Sequence, residues 1–532
     1  MSRRQNQDYT EEPKVDFGGD LSAQHGGYAK KHRLPFHHHH TQHTKFIAIE
    51  GESYRRGFNP WKFVKICWRS SSHVSMVVNV LWPFVPAAIA IHFARPDLHL
   101  WIFILNYVAM VPAANLLGFC GQELARKLPK VFGVILETTF GSLVEIVLFV
   151  VLLVTQSNNG FDPVPIIKAA ILGSILANLL LCLGLCFFFG GMKRDGQEFH
   201  EAVSEVGSGL LLVAGLGLVI PAIFYQALSS NPAAVNLELN TTRLSRGTAI
   251  LLLIAFICYV WFQMRTHHGL YEDLFEGDEH KDEDRHTDLK KDKLTFVESV
   301  VGILLALTIV SLVAVFLVQQ IHYLVEFRHI SDASSLILHP TTHAAIPGQR
   351  EINVTTYTYS FLGLILVPLV EKAAEHLTAI DESWDNQTNF ALSHILGACV
   401  QTALLNTPVI VFVGWGLGIN MNLNFEIFDA AVLILAIVVV GNFLRDGKSN
   451  WLEGALCFIT YVIIALAAFY YPNPPEGEPT SSGTGSGGEG GSGGEAAASG
   501  SEGGTATAAA EAGTHAATEA AKLLLRSAGY DI

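Results

Sequence analysis

The chain has 532 residues, of which 50% are hydrophobic and 15% are charged, and its formal net charge is −14. An acidic chain whose basic residues lie scattered between apolar blocks is unsuited to nucleic acid, so that class of partner is excluded. Several apolar blocks are long enough to cross about 30 Å of hydrocarbon. The composition therefore predicts an all-α polytopic protein embedded in a lipid bilayer.

Residues 1–70 are polar and include a histidine tract, His37–His40, but they contain no apolar run after a basic start. They do not have the pattern of a secretory signal peptide. Chain of this composition buries too little apolar surface to fold. We expect residues 1–70 to be a disordered tail in the cytosol.

Apolar windows of spanning length follow one another along the rest of the chain and predict about eleven transmembrane helices. They are residues 74–94, 101–121, 131–154, 166–190, 207–227, 248–264, 296–318, 358–380, 390–416, 427–444 and 451–471. Alternate loops carry basic residues on the side of the N-terminal tail, which indicates the cytosolic side. These residues are Arg126, Lys127, Lys130, Lys193, Arg194, Arg445 and Lys448. An odd number of crossings then places the C-terminus in a lumen.

Two acidic or low-complexity regions separate or follow the helices. Residues 265–295 contain the run EDLFEGDEHKDEDRHTD, and residues 473–532 are rich in glycine, serine, glutamate and alanine. We expect the first to be a solvated cytosolic linker and the second a disordered tail. The linker divides the helices into a lone first helix with one repeat of five (71–264) and a second repeat of five (296–472). Inverted repeats of this kind build ion sites at their interface.

Each predicted repeat carries a glutamate in its second helix. The front half reads FGSLVEIV, which contains Glu145, and the back half reads VPLVEKAAEHLTAI, which contains Glu375. A charged side chain in hydrocarbon costs about 2.5–3.5 kcal/mol on insertion scales, so a matched pair indicates function. Carboxylate oxygens suit a hard cation such as Ca²⁺, and protons compete for the same oxygens. Glu137, two turns earlier than Glu145, is expected to be a structural anchor.

The helix after each glutamate has a polar patch that begins with a glycine. The patches are GSILANLLLCLG (173–184) and GACVQTALLNTPVIVFVGW (397–415). Small residues permit close helix packing, and hydroxyl and amide groups can replace water around an ion. The candidate ligands in these patches are Ser174, Asn178, Gln401 and Thr402.

Several segments resemble the Ca²⁺/H⁺ exchangers of the calcium/cation antiporter superfamily, in particular the fungal vacuolar branch. TTFGSLVEIV resembles the family signature ATFGNAVEL, and LILVPLVEKAAEHLTAI resembles LIPIVGNAAEHVTAI. GSILANLLLCLGLCFFFGG, LSRGTAILLL, LYEDLFE and DGKSNWLEGA are also similar to family segments, so that the likeness runs from about residue 74 to 471.

The resemblance implies eleven helices, an acidic linker and alternating access that moves cytosolic Ca²⁺ into an acidic organelle, the vacuole, in exchange for protons. It implies that Glu145 and Glu375 bind the ion, with Ca²⁺ and H⁺ as the transported species and no cofactor.

The sequence departs from the family signatures beside both glutamates. Gly-Asn is replaced by Gly141-Ser142 in the front half and by Glu371-Lys372 in the back half. Ser142 still offers an oxygen. Lys372 either pairs with the glutamates and competes with Ca²⁺, or points away or pairs with Glu371 alone. We therefore regard Glu371, Lys372 and His376, which follows Glu375, as candidate modulators.

Two functional interpretations remain open at this point. The first is a Ca²⁺/H⁺ antiporter. The alternative is a paralogue with the same fold that carries Mn²⁺ or a monovalent cation, or that transports weakly and acts in regulation. An intramembrane enzyme is a third class, which the sequence disfavours because neither an HExxH motif nor paired intramembrane aspartates occur. The oligomeric state is not encoded in any recognisable pattern.

Overall fold

The structure is a computed structural model that describes residues 57–70, 73–159, 162–231, 236–282, 290–327 and 361–471, together with Ser53, Arg55 and Arg285. Most of the N-terminal tail and all of residues 473–532 lie outside these ranges. Within them, ten helices are long and apolar enough to span a membrane. The predicted all-α polytopic membrane fold is confirmed.

The described part of the first half of the chain is built from α-helices. They are α1 (Pro60–Arg69), α2 (His73–Val78), α3 (Phe84–Ala94), α4 (His99–Ala125), α5 (Lys130–Asn159), α6 (Val164–Leu176), α7 (Leu183–Lys193), α8 (Glu201–Ser229), α9 (Leu237–Trp261) and α10 (His268–Lys281). A 3-10 helix, Asn79–Leu81, follows α2, and a π-helical turn, Ala177–Cys182, joins α6 to α7. A second π-helical turn, Phe262–Thr266, extends α9.

The second half repeats this pattern. Its helices are α11 (Phe296–Phe327), α12 (Val367–Glu371), α13 (Ala373–Trp384), α14 (Thr388–Gln401), α15 (Thr407–Leu417), α16 (Ile427–Phe443) and α17 (Trp451–Tyr470). π-Helical turns precede α12 (Leu362–Leu366) and join α14 to α15 (Thr402–Asn406), and a 3-10 helix, Leu444–Asp446, follows α16. Strands β1 (Gln197–Glu198) and β2 (Lys448–Ser449) pair antiparallel, with Gln197 opposite Ser449 and Glu198 opposite Lys448.

The eighth predicted helix, 358–380, differs from the observed one. Its described part begins at residue 361, is interrupted at Lys372 and continues as α13 to Trp384. Lys372 has φ −89° and ψ −1°, so the backbone leaves regular helical geometry between α12 and α13. Interrupted helices of transporters are tolerated where they are buried in protein or line a cavity. The interruption lies three residues before Glu375.

The two halves have the same order of elements. In each, a long helix is followed by the glutamate-bearing helix and then by a spanning element with a π-helical turn at its centre. Five crossings separate α4 from its counterpart α11, so corresponding helices run in opposite directions. π-Helical turns inside α-helices occur frequently at functional sites.

The two spanning elements with a π-helical turn at their centre are the most buried of the spanning helices among the described residues. Val164–Lys193 and Thr388–Leu417 are 89% and 83% buried in their most apolar windows, whereas Leu237–Thr266 is 11% buried. Close packing at this centre depends on glycine: a Cβ added at Gly173 would lie 2.6 Å from the Leu364 carbonyl carbon. Small residues that allow backbones to approach are characteristic of helix packing in membranes.

Two segments expected to be disordered contain helices. In the N-terminal tail, the Asn59 side chain caps α1, and Phe63 and Ile66 are buried. Arg55 pairs with the buried Glu298 at 3.3 Å. The polar composition of residues 1–70 gives no sign of α1, because the burial of this helix depends on partners far along the chain.

The acidic linker contains α10, which the charge of the linker led us to treat as disordered. Tyr271 and Phe275 are buried. Asp278 accepts hydrogen bonds from the backbone N–H of Asn389 at 2.7 Å and from its side-chain amide at 2.9 Å. Burial nevertheless raises the pKa of Asp278, against the effect of these hydrogen bonds. α10 is therefore docked on α14 through an apolar face and one buried carboxylate.

Candidate ion-binding site

Glu145 lies at the centre of α5 and is fully buried. Its Oε2 atom accepts hydrogen bonds from Thr402 Oγ1, at 2.9 Å, and from the side-chain amide of Asn406. Both donors belong to the π-helical turn Thr402–Asn406 of the other repeat, which widens the helix there. The second carboxylate oxygen, Oε1, is buried without a hydrogen-bond partner among the described residues.

Lys372 connects Glu145 to Glu375. Its Nζ atom lies 3.5 Å from Glu145 Oε2 and 3.4 Å from Glu375 Oε1, and its side chain is 1% exposed. Of the two arrangements that the sequence left open, the structure therefore has the one in which the lysine pairs with both glutamates. The ammonium group thus contacts a carboxylate of each repeat.

Glu375 and Glu371 differ from Glu145 in their access to a cavity. The side chain of Glu375 is 28% exposed, and it lines a cavity together with Glu371, Asn178 and Gly141. Glu371 is 5% exposed, and its Oε1 atom has no hydrogen-bond partner in the described part of the chain. A Cβ at Gly141 would lie 2.7 Å from Glu375 Cδ, so the absence of a side chain there leaves room for the carboxylate.

The predicted polar ligands form two pairs across the repeat interface. The Ser142 hydroxyl donates to Gln401 Oε1 at 2.8 Å, and the Gln401 amide donates to Thr138 Oγ1. Asn178 Oδ1 lies 3.0 Å from His376 Nε2. These pairs join α5 to α14 and the first π-helical turn to α13, so the predicted residues lie together around the glutamates.

Ser174 is also buried at this interface. Its hydroxyl has no hydrogen-bond partner among the described residues. The Glu145 partner Asn406 was missed by the sequence analysis. Its spacing of four from Thr402 could have revealed it, since such residues lie on the same face of a helix.

A second ionisable cluster surrounds His394. Its Nδ1 atom lies 2.8 Å from Glu382 Oε2, and its Nε2 atom lies 3.2 Å from Glu137 Oε2. Glu137, expected from the sequence to be a structural anchor, lines the same cavity as Glu375. The sequence analysis gave no role to His394 or Glu382, because their partners lie on other helices or one loop away.

A wider vestibule continues from this cavity toward α10. Glu137, Thr378 and His394 line both spaces, which makes them the junction. The vestibule is otherwise bordered mainly by charged residues, including Lys130, Glu272, Glu279, Asp282, Arg285, Asp381 and Asp385. We call the side of the membrane that carries α10 the linker side. Glu375 is thus reached from the linker side, whereas Glu145 lies behind Lys372.

The described residues contain no group of three or more histidine, cysteine or acidic side chains arranged to hold a metal. The oxygens close to Lys372 instead belong to the carboxylates of Glu145 and Glu375, and a hydroxyl and an amide group contact Glu145. Carboxylate, amide and hydroxyl oxygens are the ligands that hard cations prefer. Two repeats of opposite orientation, with a carboxylate from each at their interface and a π-helical turn around one of them, define a secondary active transporter of cations.

Comparison with known proteins gives the family. The family described as sodium/calcium exchanger protein matches residues 98–265 and 298–470, and the chain belongs to this family. The two matched ranges coincide with the two repeats and leave out the lone first helix. It is a family of transporters, not of enzymes.

The relatives include fungal and plant transporters. The chain is 31% identical over 372 residues to a vacuolar calcium ion transporter of Schizosaccharomyces pombe, which covers 70% of this chain and 79% of the relative. It is 29% identical to vacuolar cation/proton exchanger 2 of Oryza sativa subsp. japonica, over 81% of this chain and 90% of the relative.

Among solved structures, native YfkE matches 75% of this chain and 100% of its own, with a TM-score of 0.56 and 23% identity. At this level of identity, the likeness concerns the fold alone.

Proposed function

We propose that the protein is a Ca²⁺/H⁺ antiporter in which Glu145 and Glu375 exchange protons for the metal. This proposal rests on the position of the Lys372 ammonium nitrogen, Nζ, which lies 3.5 Å from the carboxylate of Glu145 and 3.4 Å from that of Glu375, in the other repeat. Two carboxylates that converge on one cation can converge on another. The names of the relatives support calcium and protons as the ions.

The chemistry of exchange follows from the burial of the site. Ca²⁺ takes about six to eight oxygen ligands. The site offers the carboxylate oxygens, Thr402 Oγ1 and the side-chain oxygen of Asn406, since both of these residues contact Glu145. Two protons neutralise the same carboxylates, and a neutralised site costs less to move within hydrocarbon. The site can therefore change the side of the membrane that it faces when it holds either Ca²⁺ or two protons.

The sidedness of the proposal rests on the cavity and the charges. The linker-side cavity reaches Glu375, while Glu145 is fully buried, which supports a state open to the linker side. The positive-inside bias assigns this side to the cytosol, so the N-terminus is cytosolic and the C-terminus lumenal. The names of the relatives support the vacuolar membrane as the location.

The test is uptake of radioactive Ca²⁺ into acid-loaded vesicles that contain the purified full chain. We expect uptake to stop when the proton gradient is dissipated and to be lost in Glu145→Gln and Glu375→Gln. Glu453→Gln, at the start of α17 and away from the site, is the matched control and retains uptake. Uptake that persists without the gradient, or at the native rate in Glu145→Gln, would contradict the proposal.

A further inference from the structure

Lys372 and Ca²⁺ cannot occupy the same oxygens. The lysine ammonium lies within 3.5 Å of Glu145 and Glu375, and Ca²⁺ needs its oxygen ligands at about 2.3–2.6 Å. Both are cations, so binding of the metal must displace the ammonium. This step rests on the proposed function, and the question is where a buried ammonium goes when it is displaced.

Glu371 provides a destination. It precedes Lys372 directly, lines the same cavity as Glu375 and is 5% exposed. Its Oε1 atom has no hydrogen-bond partner among the described residues, although a buried carboxylate oxygen is costly to leave unpaired. The carboxylate is thus buried, close and available to an ammonium.

The side chain of Lys372 allows such a movement. Its backbone is held at the interruption between α12 and α13, since its N–H donates to the Pro368 carbonyl and its carbonyl accepts from the His376 N–H, both at 2.9 Å. Its four-carbon stem is flexible, and an ammonium can be directed to acceptors in several directions, unlike a planar guanidinium. The movement to be tested is therefore a change of the Lys372 side-chain rotamer with both helices in place.

The charges remain balanced if the lysine stays in the site. Three carboxylates and one ammonium leave two negative charges when Glu145, Glu371, Glu375 and Lys372 are all ionised. One divalent cation or two protons neutralise them. Glu371 and Lys372 thus add opposite charges and leave the net charge that Glu145 and Glu375 have by themselves.

We propose that Lys372 is a tethered cation that bridges Glu145 and Glu375 in the metal-free site and moves to Glu371 when the metal binds. Glu371 and Lys372 then act as one unit that determines the affinity for the metal. Glu371 is a positioning residue in this scheme, since it acts on the metal through the lysine.

A double-mutant cycle tests this unit. Glu371→Gln, Lys372→Met and the double variant are compared with the native full chain, and both KM for Ca²⁺ and kcat are measured in acid-loaded vesicles. We expect Glu371→Gln alone to raise KM by about tenfold or more, because the displaced ammonium has no acceptor. In the Lys372→Met background the same change should alter KM by less than about threefold.

The same cycle is repeated as equilibrium binding of Ca²⁺ to the purified protein in detergent, which requires no transport. If native protein transports Ca²⁺ but Glu371→Gln has the same effect with and without Lys372, the inference is overturned while the antiporter stands. If native protein binds Ca²⁺ with the expected coupling but shows no proton-driven uptake, the antiporter fails and the inference stands.

Glu371→Asp serves as a control for misfolding of the Glu371→Gln variant. Glu371→Asp keeps the charge on a shorter stem, so it should raise KM by less than Glu371→Gln does and again only when Lys372 is present. An equal effect of Glu371→Asp in both backgrounds would also overturn the inference.

Discussion

Replacing Gly141 by alanine tests whether the position of the Glu375 carboxylate determines transport. A Cβ at this position would lie 2.7 Å from Glu375 Cδ and would overlap its Oε1 atom. Few Cβ contacts are shorter than 3.4 Å. The carboxyl group must therefore move by about 0.7 Å or more, which changes the 3.4 Å contact that its Oε1 atom makes with the Lys372 ammonium.

The expected loss lies in transport and not in stability. Misplacement of a reacting group by about 1 Å can cost about 100-fold in rate, so we expect the uptake rate to fall by about 10- to 100-fold. This corresponds to about 1.4–2.7 kcal/mol in the barrier. The overlapping atoms end a flexible side chain, and alanine in a helix is favoured over glycine by about 0.5–1 kcal/mol, so the thermal unfolding temperature should not fall.

Gly121→Ala is the matched control. Gly121 lines the same cavity, but a Cβ there would meet its nearest atoms at 3.7 Å and 3.9 Å, which are ordinary contacts. The assay is initial Ca²⁺ uptake into acid-loaded vesicles at equal protein content, with thermal unfolding in parallel. Native uptake in Gly141→Ala, or an equal loss in Gly121→Ala, would refute the argument from the carboxylate position.

Three further changes address the packing, the cavity junction and the linker. Gly173→Ala should lower thermal stability by about 1–3 kcal/mol or more, because its Cβ meets rigid backbone. Gly397→Ala, at the corresponding glycine of the second repeat, should leave the stability unchanged, because a Cβ there meets its nearest atom at 3.6 Å. Equal stability of the two variants would contradict the argument from packing. His394→Gln removes the imidazole that lies between the carboxylates of Glu137 and Glu382. We expect KM for Ca²⁺ on the linker side to fall by about two- to fivefold, because these carboxylates then attract the cation more strongly. An unchanged KM would contradict this expectation. The pKa of Asp278 is raised by burial, so its contribution to docking of α10 is largest below the unfolded pKa and is lost as the pH rises through the folded pKa. Hydrogen exchange of α10, corrected for the intrinsic rate, should slow as the pH falls from neutrality, and this slope should vanish in Asp278→Asn.

Hydropathy was sufficient to predict the spanning helices because burial in lipid imposes length and apolarity on each of them. It was insufficient for α1 and α10, whose composition is polar. α10 is held by Tyr271, Phe275 and the carboxylate of Asp278, and the hydrogen-bond donors to that carboxylate are on α14. Such a partner, more than a hundred residues away, leaves no periodic signal in the linker itself.

The candidate site was predictable where the two halves of the chain correspond. Glu145 and Glu375 were found because matching positions of two repeats carry the same uncommon residue, and their role in ion binding stays a prediction. The contact of Lys372 with Glu375 has the helical i,i+3 spacing, whereas its contact with Glu145 could not be derived, because Glu145 lies on a helix of the other repeat.

The asymmetry of the two glutamates suggests how the site alternates. Glu145 is fully buried against the π-helical turn Thr402–Asn406, whereas Glu375 is 28% exposed to the linker-side cavity. The first repeat has an equivalent turn, Ala177–Cys182, whose Asn178 already contacts His376, beside Glu375. Because the repeats are inverted, exchanging their conformations would bury the second glutamate against this turn and expose the first toward the opposite side. The lysine between them can accompany either state, since both carboxylates lie within its reach.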